Sequence, residues 1–191
     1  MRIIENGKLE ETGSVEIKGV TLEMMRWWIM HRTRESYKMW HHDHIDFKVL
    51  RRPERGEVGY TYIVKERFGK YLVSLKSTIE EWSDTASTVL HKTYLHPWPV
   101  PMYNLRVRLK FAATPAGLML HSTHVVGSDN PIWGRLWNFI TRKFIYTEKL
   151  RAAYARHAEE ESENFPNFLK KLYAERGGDN GNIVRALDQT I

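Results

Sequence analysis

The chain has 191 residues, nine histidines and no cysteine, and its formal net charge is +6. This length fits a single domain with a sizeable core. Without cysteine there is no disulfide scaffold and no thiolate catalysis, so any metal must be bound by histidine and carboxylate side chains. The positive charge describes solubility and weak association and does not by itself indicate an acidic partner.

The two ends predict peripheral segments. Residues 1–18 are mixed and polar, which predicts an N-terminal arm ending in a short edge strand, and residues 177–191 predict a loose C-terminal tail. The start resembles neither a signal peptide nor a transit peptide, so we expect a cytoplasmic protein. No run approaches about 18 apolar residues, so we expect no membrane-spanning helix and no membrane partner.

The hydrophobic pattern predicts an α+β fold. Thr21 is a candidate N-cap for a short apolar helix over residues 22–30. Short β-prone runs fill residues 56–126, including a hairpin that turns at Phe68-Gly69-Lys70. A long helix follows from Pro131 and is expected to kink or restart near Pro166. We expect this helix to pack on the concave face of an antiparallel sheet.

The basic residues of one predicted strand favour a solvated face. Arg106, Arg108 and Lys110 alternate with apolar residues between positions 105 and 111. A half-buried strand requires polar residues at these positions in any case. No recognised nucleic-acid motif accompanies them, so we expect no nucleic-acid partner.

His157 and Glu161 form a pair one helical turn apart. This spacing places both side chains on one face of the predicted long helix. Two interpretations stay open from the spacing alone: an inward-facing pair that binds a ligand, or an ion pair on the helix surface.

Several other histidines and one glutamate are candidate site residues, and the sequence does not show whether they are buried or exposed. His41, His42 and His44 are either metal ligands or a polar surface loop. Glu66 stands at the end of a predicted strand and by itself resembles a solvated glutamate. His124, like the nearby His121, either lines a cavity or is a hydrogen-bonded core histidine.

Four segments carry a resemblance to a known family. Residues 19–28 and 37–44, which read GVTLEMMRWW and YKMWHHDH, resemble the opening of the diacetylphloroglucinol hydrolase and phloretin hydrolase family. Residues 157–161 (HAEEE) and 167–173 (NFLKKLY) resemble its closing helix. The similarity covers roughly residues 19–175 and is strongest at the two ends.

The resemblance implies a fold and an activity. The fold is the helix-grip fold of START and birch-pollen-allergen proteins, in which a curved antiparallel sheet surrounds a long C-terminal helix, here as one domain over residues 1–191. The activity is zinc-dependent hydrolysis of the carbon–carbon bond between an acyl group and a polyhydroxylated, phloroglucinol-like ring. The partner is thus an aromatic or polyketide-like small molecule, and a homodimer is compatible with the resemblance.

The resemblance also assigns residues. His44, Glu66, His157 and Glu161 match the family's zinc ligands, and Tyr37 matches a tyrosine near the substrate phenol. The spacing after Trp40 departs from the family pattern, which leaves His41 or His42 as alternative ligands. Tyr37 and His124 are our candidates for the general acid. The expected aromatic walls are formed by Trp27, Trp28, Trp40, Tyr60 and Tyr62, with Tyr37, Trp40 and Tyr62 as substrate-binding residues.

Two other functions remain open. A helix-grip cavity also suits a non-catalytic carrier of apolar or aromatic small molecules. A metal-dependent cyclase or isomerase acting on polyketide-like substrates would use similar residues.

Overall fold

The computed structural model describes residues 1–98 and 100–176. The predicted tail 177–191 lies outside the described residues. The strands are β1 (Arg2–Ile3), β2 (Leu9–Lys18), β3 (His44–Arg51), β4 (Thr61–Phe68), β5 (Tyr71–Trp82), β6 (Ala86–Leu95), β7 (Tyr103–Thr114) and β8 (Gly117–Val126). The helices are α1 (Leu22–His31), α2 (Arg34–Trp40), α3 (Gly134–Ile140) and α4 (Glu148–Arg176).

All eight strands form one antiparallel sheet in the order β1-β2-β8-β7-β6-β5-β4-β3. The predicted β4–β5 hairpin is confirmed, with Phe68 paired to Tyr71 and Gly69 at φ +57° in the turn. The solvent face predicted for β7 is also confirmed, since Arg108 and Lys110 are exposed while Val107 and Phe111 are buried.

The N-terminal arm predicted for residues 1–18 is wrong for most of its length. Strand β2 pairs with β8 from Leu9 opposite Val126 to Lys18 opposite Gly117. Most side chains of β2 are polar and face solvent, so hydrophobic alternation gives little signal there. Its backbone hydrogen bonds to β8, which no sequence pattern reveals, are what make it a strand.

The long helix predicted from Pro131 is divided in two. After α3 the chain forms a π-helical turn over Thr141–Ile145 and leaves helical geometry at Tyr146 (φ −87°, ψ 61°). Helix α4 then continues through Pro166 to Arg176 without ending there. The restart predicted at the proline is therefore wrong, whereas the alternative of a kink stays a prediction.

Helix α4 packs lengthwise against the concave side of the sheet. Leu150, His157, Phe165, Leu169 and Leu172 are its buried residues, and they form one stripe. Helix α1, which Thr21 caps as predicted by accepting a hydrogen bond from the Met24 N–H, packs on the C-terminal half of α4. A space remains between α4 and the middle of the sheet. Within the described part of the chain, no helix is long and apolar enough to cross a bilayer.

Candidate metal centre and ligand cavity

A cavity of about 600 Å³ lies between the sheet and α4. Its wall is mostly apolar, with Trp28 from α1, Val64 and Leu75 from the sheet centre, and Val107 and Phe111 from β7. Pockets of roughly 300–1,000 Å³ with apolar walls and a few polar groups are typical of small-molecule sites. The fold therefore provides a site large enough for an aromatic ligand.

Strand pairing and helix periodicity bring four polar side chains together, of which Glu66, His157 and Glu161 line the cavity and His44 is buried behind them. His44 is the first residue of β3 and lies directly opposite Glu66 on β4. His157 and Glu161 lie one turn apart on α4, which packs over this strand pair. His157 is only 4% exposed, so this pair faces inward and is not an ion pair on the helix surface.

The four side chains converge closely. His44 Nε2 lies 2.8 Å from Glu161 Oε1, and His157 Nε2 lies 3.6 Å from the same oxygen. His157 Nε2 is also 3.9 Å from Glu66 Oε2. The structure thus places together all four residues that the resemblance implies as zinc ligands.

The hydrogen bonds of His44 indicate that a cation fits here. Its Nδ1 lies 2.8 Å from the Tyr37 carbonyl oxygen, which can only accept, so Nδ1 carries the proton. In a neutral ring Nε2 then presents its lone pair, and it faces a carboxylate oxygen of Glu161. A metal ligand histidine commonly donates its other N–H to a backbone carbonyl in this way.

His157 gives a second indication. Both ring nitrogens are buried and have no hydrogen-bond partner among residues 1–98 and 100–176. Leaving a buried polar group unsatisfied costs about 1–3 kcal/mol. An ion bound by Nε2 would satisfy one of these two nitrogens, so the residues present fit a metal of the kind that histidine and carboxylate ligands prefer.

The charges of the cluster are strongly coupled. Burial and the neighbouring Glu161 carboxylate raise the pKa of Glu66 to about 8. Burial alone would raise the pKa of Glu161 as well, but His157 and His44 outweigh it and lower that pKa to about 2. Burial likewise would lower the pKa of His157, and the two carboxylates raise it instead. Two carboxyl groups in one buried site favour a bound cation.

His41 and His42 differ in their access to this centre. His42 has a 77% exposed side chain and points away. His41 is buried beside His157, with ring centroids 4.4 Å apart, and its nitrogens could join a metal-binding group with His44 and His157. Its Nδ1, however, accepts the Asp43 N–H and its Nε2 lies 3.1 Å from Glu160. With both nitrogens engaged, His41 ranks behind His44 as a ligand.

The predicted aromatic residues have distinct positions. The Tyr37 hydroxyl donates to Glu66, and its ring stacks on His44 at 4.0 Å. Trp40 lines the cavity and donates its Nε1–H to the Glu161 carbonyl oxygen. Tyr62 also lines the cavity, further along β4. Both Tyr37 and Trp40 therefore orient the cluster as well as forming its wall.

Two of the expected wall residues do not line the cavity. Tyr60 is buried in the core beneath the Arg52 side chain. Trp27 stacks on His31 and packs against Tyr173 on the outer side of α1. Trp28 takes the inward position next to Trp27 on α1, whereas Tyr60 lies on the same face as Tyr62 but just before β4 begins, beyond the cavity.

His124 lines the cavity and is bonded to Tyr154, whose hydroxyl lies 3.1 Å from its Nδ1. Burial lowers the pKa of His124 to about 4, so the ring is neutral near pH 7. His124 is therefore bonded to Tyr154 and not to any of the four residues at the candidate metal centre.

Sequence reasoning did not identify two polar groups of the wall. Arg32, which follows α1, lies against the Tyr62 ring, and His91 on β6 has its Nδ1 2.7 Å from Ser77 Oγ. Alternation along β6 places His91 on the same face as Val89, which was a usable signal for His91. No pattern marks Arg32, because its position depends on how α1 packs.

Comparison with known proteins supports the fold. No protein-family model matches the chain, and no curated protein is detectably similar in sequence. Ara h 8.0201 has a similar structure, with a TM-score of 0.57 at 8% identity over 86% of this chain and 97% of that chain. Major latex-like protein 151 from Panax ginseng has a TM-score of 0.57 at 8% identity over 83% and 95%.

An uncharacterised Rhizobium leguminosarum protein is also similar, with a TM-score of 0.52 at 15% identity over 86% of this chain and 98% of that chain. The predicted helix-grip fold is thereby confirmed. At these identities the similarity concerns the fold alone.

Proposed function

We propose that the helix-grip cavity binds an aromatic or polyketide-like small molecule and that the protein hydrolyses an acyl-to-ring carbon–carbon bond with the aid of zinc. The observation that carries this proposal is the convergence of His44, His157, Glu66 and Glu161 in one buried site. The structural alternative is an ion pair in which a protonated His44 donates to Glu161, and metal content separates the two. The four side chains would hold the ion at the wall of the cavity.

The metal ion and the protein side chains would have different roles in the hydrolysis. Bound zinc provides a Lewis acid that polarises a carbonyl and lowers the pKa of water. The two glutamates balance its charge, and Tyr37 orients Glu66 through its hydroxyl. Trp28 and Trp40 form an apolar wall that excludes water from the ring of the substrate.

Breaking a carbon–carbon bond also requires a proton for the ring carbon that leaves. Tyr37 and His124 are the two candidate donors from the sequence, and both line the cavity. Tyr37 is the better placed, because its hydroxyl is bonded to a residue of the candidate metal centre. His124 instead forms a pair with Tyr154 at another part of the wall.

Metal content tests the first half of the proposal. We expect protein purified without chelator to hold stoichiometric zinc by elemental analysis. Glu161→Gln should lower zinc affinity at least roughly tenfold, because metal ligands must be anionic or neutral lone-pair donors. Glu160→Gln is the matched control, since this adjacent carboxylate bonds Arg156 and His41 instead. Metal-free protein, or equal loss in both variants, contradicts the proposal.

Product analysis tests the second half. Incubation with an acylated phloroglucinol should release the free carboxylic acid and the deacylated ring. Ring closure without acid release would indicate a cyclase instead.

The second candidate function is a carrier of apolar or aromatic ligands. The mostly apolar cavity and the fold neighbours support this function directly. Tight binding of the phloroglucinol with no turnover, by protein loaded with zinc, would favour the carrier.

A further inference from the structure

Arg32 is a buried cation in the wall of the cavity. It is only 9% exposed, and its guanidinium lies 4.6 Å from the ring of Tyr62 and 5.5 Å from the ring of Phe47. Both rings are buried on β4 and β3. Stacking on two rings fixes the position of the guanidinium and offsets part of its desolvation cost.

The chain supplies no counter-ion for Arg32 within the described residues. No carboxylate of residues 1–98 or 100–176 lies within 4.0 Å, and the one hydrogen bond of the side chain runs from Nε to the Ile29 carbonyl oxygen. Arg106, by contrast, binds both Glu80 and Asp129. Buried charges are normally paired, so an arginine that lines a cavity and has no carboxylate within 4.0 Å among the described residues leaves room for an anionic partner.

Strand register locates this cation relative to the metal centre. Tyr62 lies opposite Ser77, and Ser77 lies opposite His91, so a polar row crosses three strands beside the guanidinium. Glu66 follows Tyr62 by four positions on the same strand. At about 3.3 Å per residue, these two positions are separated by about 13 Å. The Arg32 charge nevertheless reaches the candidate metal centre, because it opposes the burial that raises the pKa of Glu66.

We propose that Arg32 binds an oxyanion, a carboxylate or a phenolate, carried by an aromatic ligand in the part of the cavity lined by Tyr62, Ser77 and His91. The proposal rests on the proposed function only in that the cavity takes an aromatic ligand, and it does not require hydrolysis. Ser77 and His91 would add neutral hydrogen bonds beside the anion. The ligand class is then an aromatic acid or phenol.

Binding of two matched probes tests this proposal without turnover. We expect 1-naphthoate to quench the tryptophan fluorescence of the wild-type protein with an affinity at least roughly tenfold above that of neutral 1-naphthamide. Arg32→Met should abolish this preference, and Arg32→Lys should keep part of it. The matched control is Arg52→Met, because Arg52 also lies over a tyrosine ring but is exposed.

The outcomes separate cleanly. Equal affinity for the two probes in the wild-type protein, or an unchanged preference in a folded Arg32→Met variant, overturns the proposal. Near-ultraviolet circular dichroism verifies folding of both methionine variants. A third probe, 1-naphthol, identifies the oxyanion: affinity that rises as the naphthol ionises assigns a phenolate, and a flat profile assigns a carboxylate. Neither result depends on whether the hydrolase proposal holds.

A second inference rests on the orientation of α3. This helix buries Gly134 and Asn138 and, at its end, Thr141. Its large apolar side chains face outward instead, which reverses the usual amphipathic arrangement. We define the α3 surface by its exposed apolar residues: Ile132, Trp133, Leu136, Trp137, Phe139 and Phe144.

The charges around the α3 surface point to an anionic partner. Residues 131–147 contain no aspartate or glutamate, and Arg135 and Lys143 are exposed there. A two-fold dimer through this surface would bring two positively charged surfaces into contact, and neither surface has an acidic residue between positions 131 and 147 to offset the repulsion. Tryptophan and phenylalanine combined with basic residues suit the headgroup region of an anionic bilayer.

We infer that the α3 surface docks on anionic lipid bilayers. This replaces the expectation of no membrane partner that the sequence suggested. The binding is peripheral, because α3 has seven residues and is far shorter than a bilayer is thick.

Vesicle flotation tests this inference. We expect the full chain to float with phosphatidylcholine vesicles that contain phosphatidylserine, and to float much less with phosphatidylcholine alone. Leu136→Ser should reduce flotation several-fold, whereas Val58→Ser, at a similarly exposed apolar residue elsewhere, should not. Lys143→Glu should reduce it more than Lys48→Glu, which changes the net charge equally.

Two results would overturn the inference: no flotation with either vesicle, or a dimer in analytical ultracentrifugation that Leu136→Ser dissociates. The second result would assign the α3 surface to a second copy of the chain.

Discussion

Individual histidines of the cavity differ because their partners differ. His44 gives its Nδ1 proton to a backbone carbonyl and keeps a lone pair on Nε2, whereas His41 has both nitrogens engaged with protein groups. His91 pairs with Ser77 and His124 with Tyr154, which makes both of them neutral hydrogen-bonding groups of the wall. The same residue type therefore has three different roles within one cavity.

His91 provides a prediction about pH and stability. Burial and the nearby His124 lower its pKa to about 3 in the folded protein, from 6.5. Below about pH 6.5 the unfolded chain binds a proton that the folded protein does not, so the free energy of unfolding decreases as pH falls toward 3. One such histidine contributes about 1.4 kcal/mol per pH unit. We therefore expect His91→Gln to make the unfolding free energy less dependent on pH.

The measurement is urea denaturation of metal-depleted protein at about pH 7 and about pH 5. His121→Gln is the control, since His121 is exposed and bonds only Ser14. Equal pH dependence in the wild type and His91→Gln would show that His91 is hydrated or protonated in the folded state.

At the scale of the elements, helix α3 is held in place by the hydrogen bonds of one buried side chain, Asn138. Asn138 is 1% exposed; its amide donates to the carbonyl oxygens of Asn6 and Ser128, and its Oδ1 accepts the Ser128 N–H. These bonds tie α3 to the turn before β2 and to the end of β8.

Replacing Asn138 with alanine should destabilise the protein by about 2–4 kcal/mol, because three backbone groups in part-buried hydrogen bonds lose their partner. Urea denaturation measures the loss. Phe139→Ala removes more atoms at the adjacent position but is exposed, so we expect a change below about 1 kcal/mol. A larger effect for Phe139 than for Asn138 would show that α3 is held by apolar contacts.

For the molecule as a whole, the candidate metal centre joins parts that are distant in sequence. His44 and Glu66 belong to the end of the sheet formed by β3 and β4, whereas His157 and Glu161 belong to α4. An ion bound there would connect sheet and helix directly, and unfolding would have to release it.

Zinc should therefore raise the melting temperature of the metal-depleted protein. At a free concentration a hundredfold above its dissociation constant, a ligand of the folded state adds about 2.7 kcal/mol. For a chain of this size we expect an increase of about 5–10 °C in thermal denaturation. Glu161→Gln should lose most of this increase, and magnesium should not produce it, because magnesium prefers oxygen ligands. An equal shift in Glu161→Gln would place the ion elsewhere.

The sequence alone determined much about this protein. Alternation and helical spacing predicted the α+β class, the β4–β5 hairpin, the solvent face of β7 and the cap of α1, because each depends on neighbouring residues along the chain. Spacing also placed His157 and Glu161 on one face of a helix. The family resemblance added two further candidate metal ligands, His44 and Glu66, and it implied the helix-grip fold.

Only the tertiary structure decided which of these residues meet and what lies between them. The pairing of β2 with β8, the outward apolar face of α3 and the buried Arg32 depend on contacts between segments far apart in sequence. No local pattern records such contacts, because burial of a side chain depends on what the rest of the chain places against it. Local periodicity thus gives the elements, and packing decides which side chains enclose the cavity.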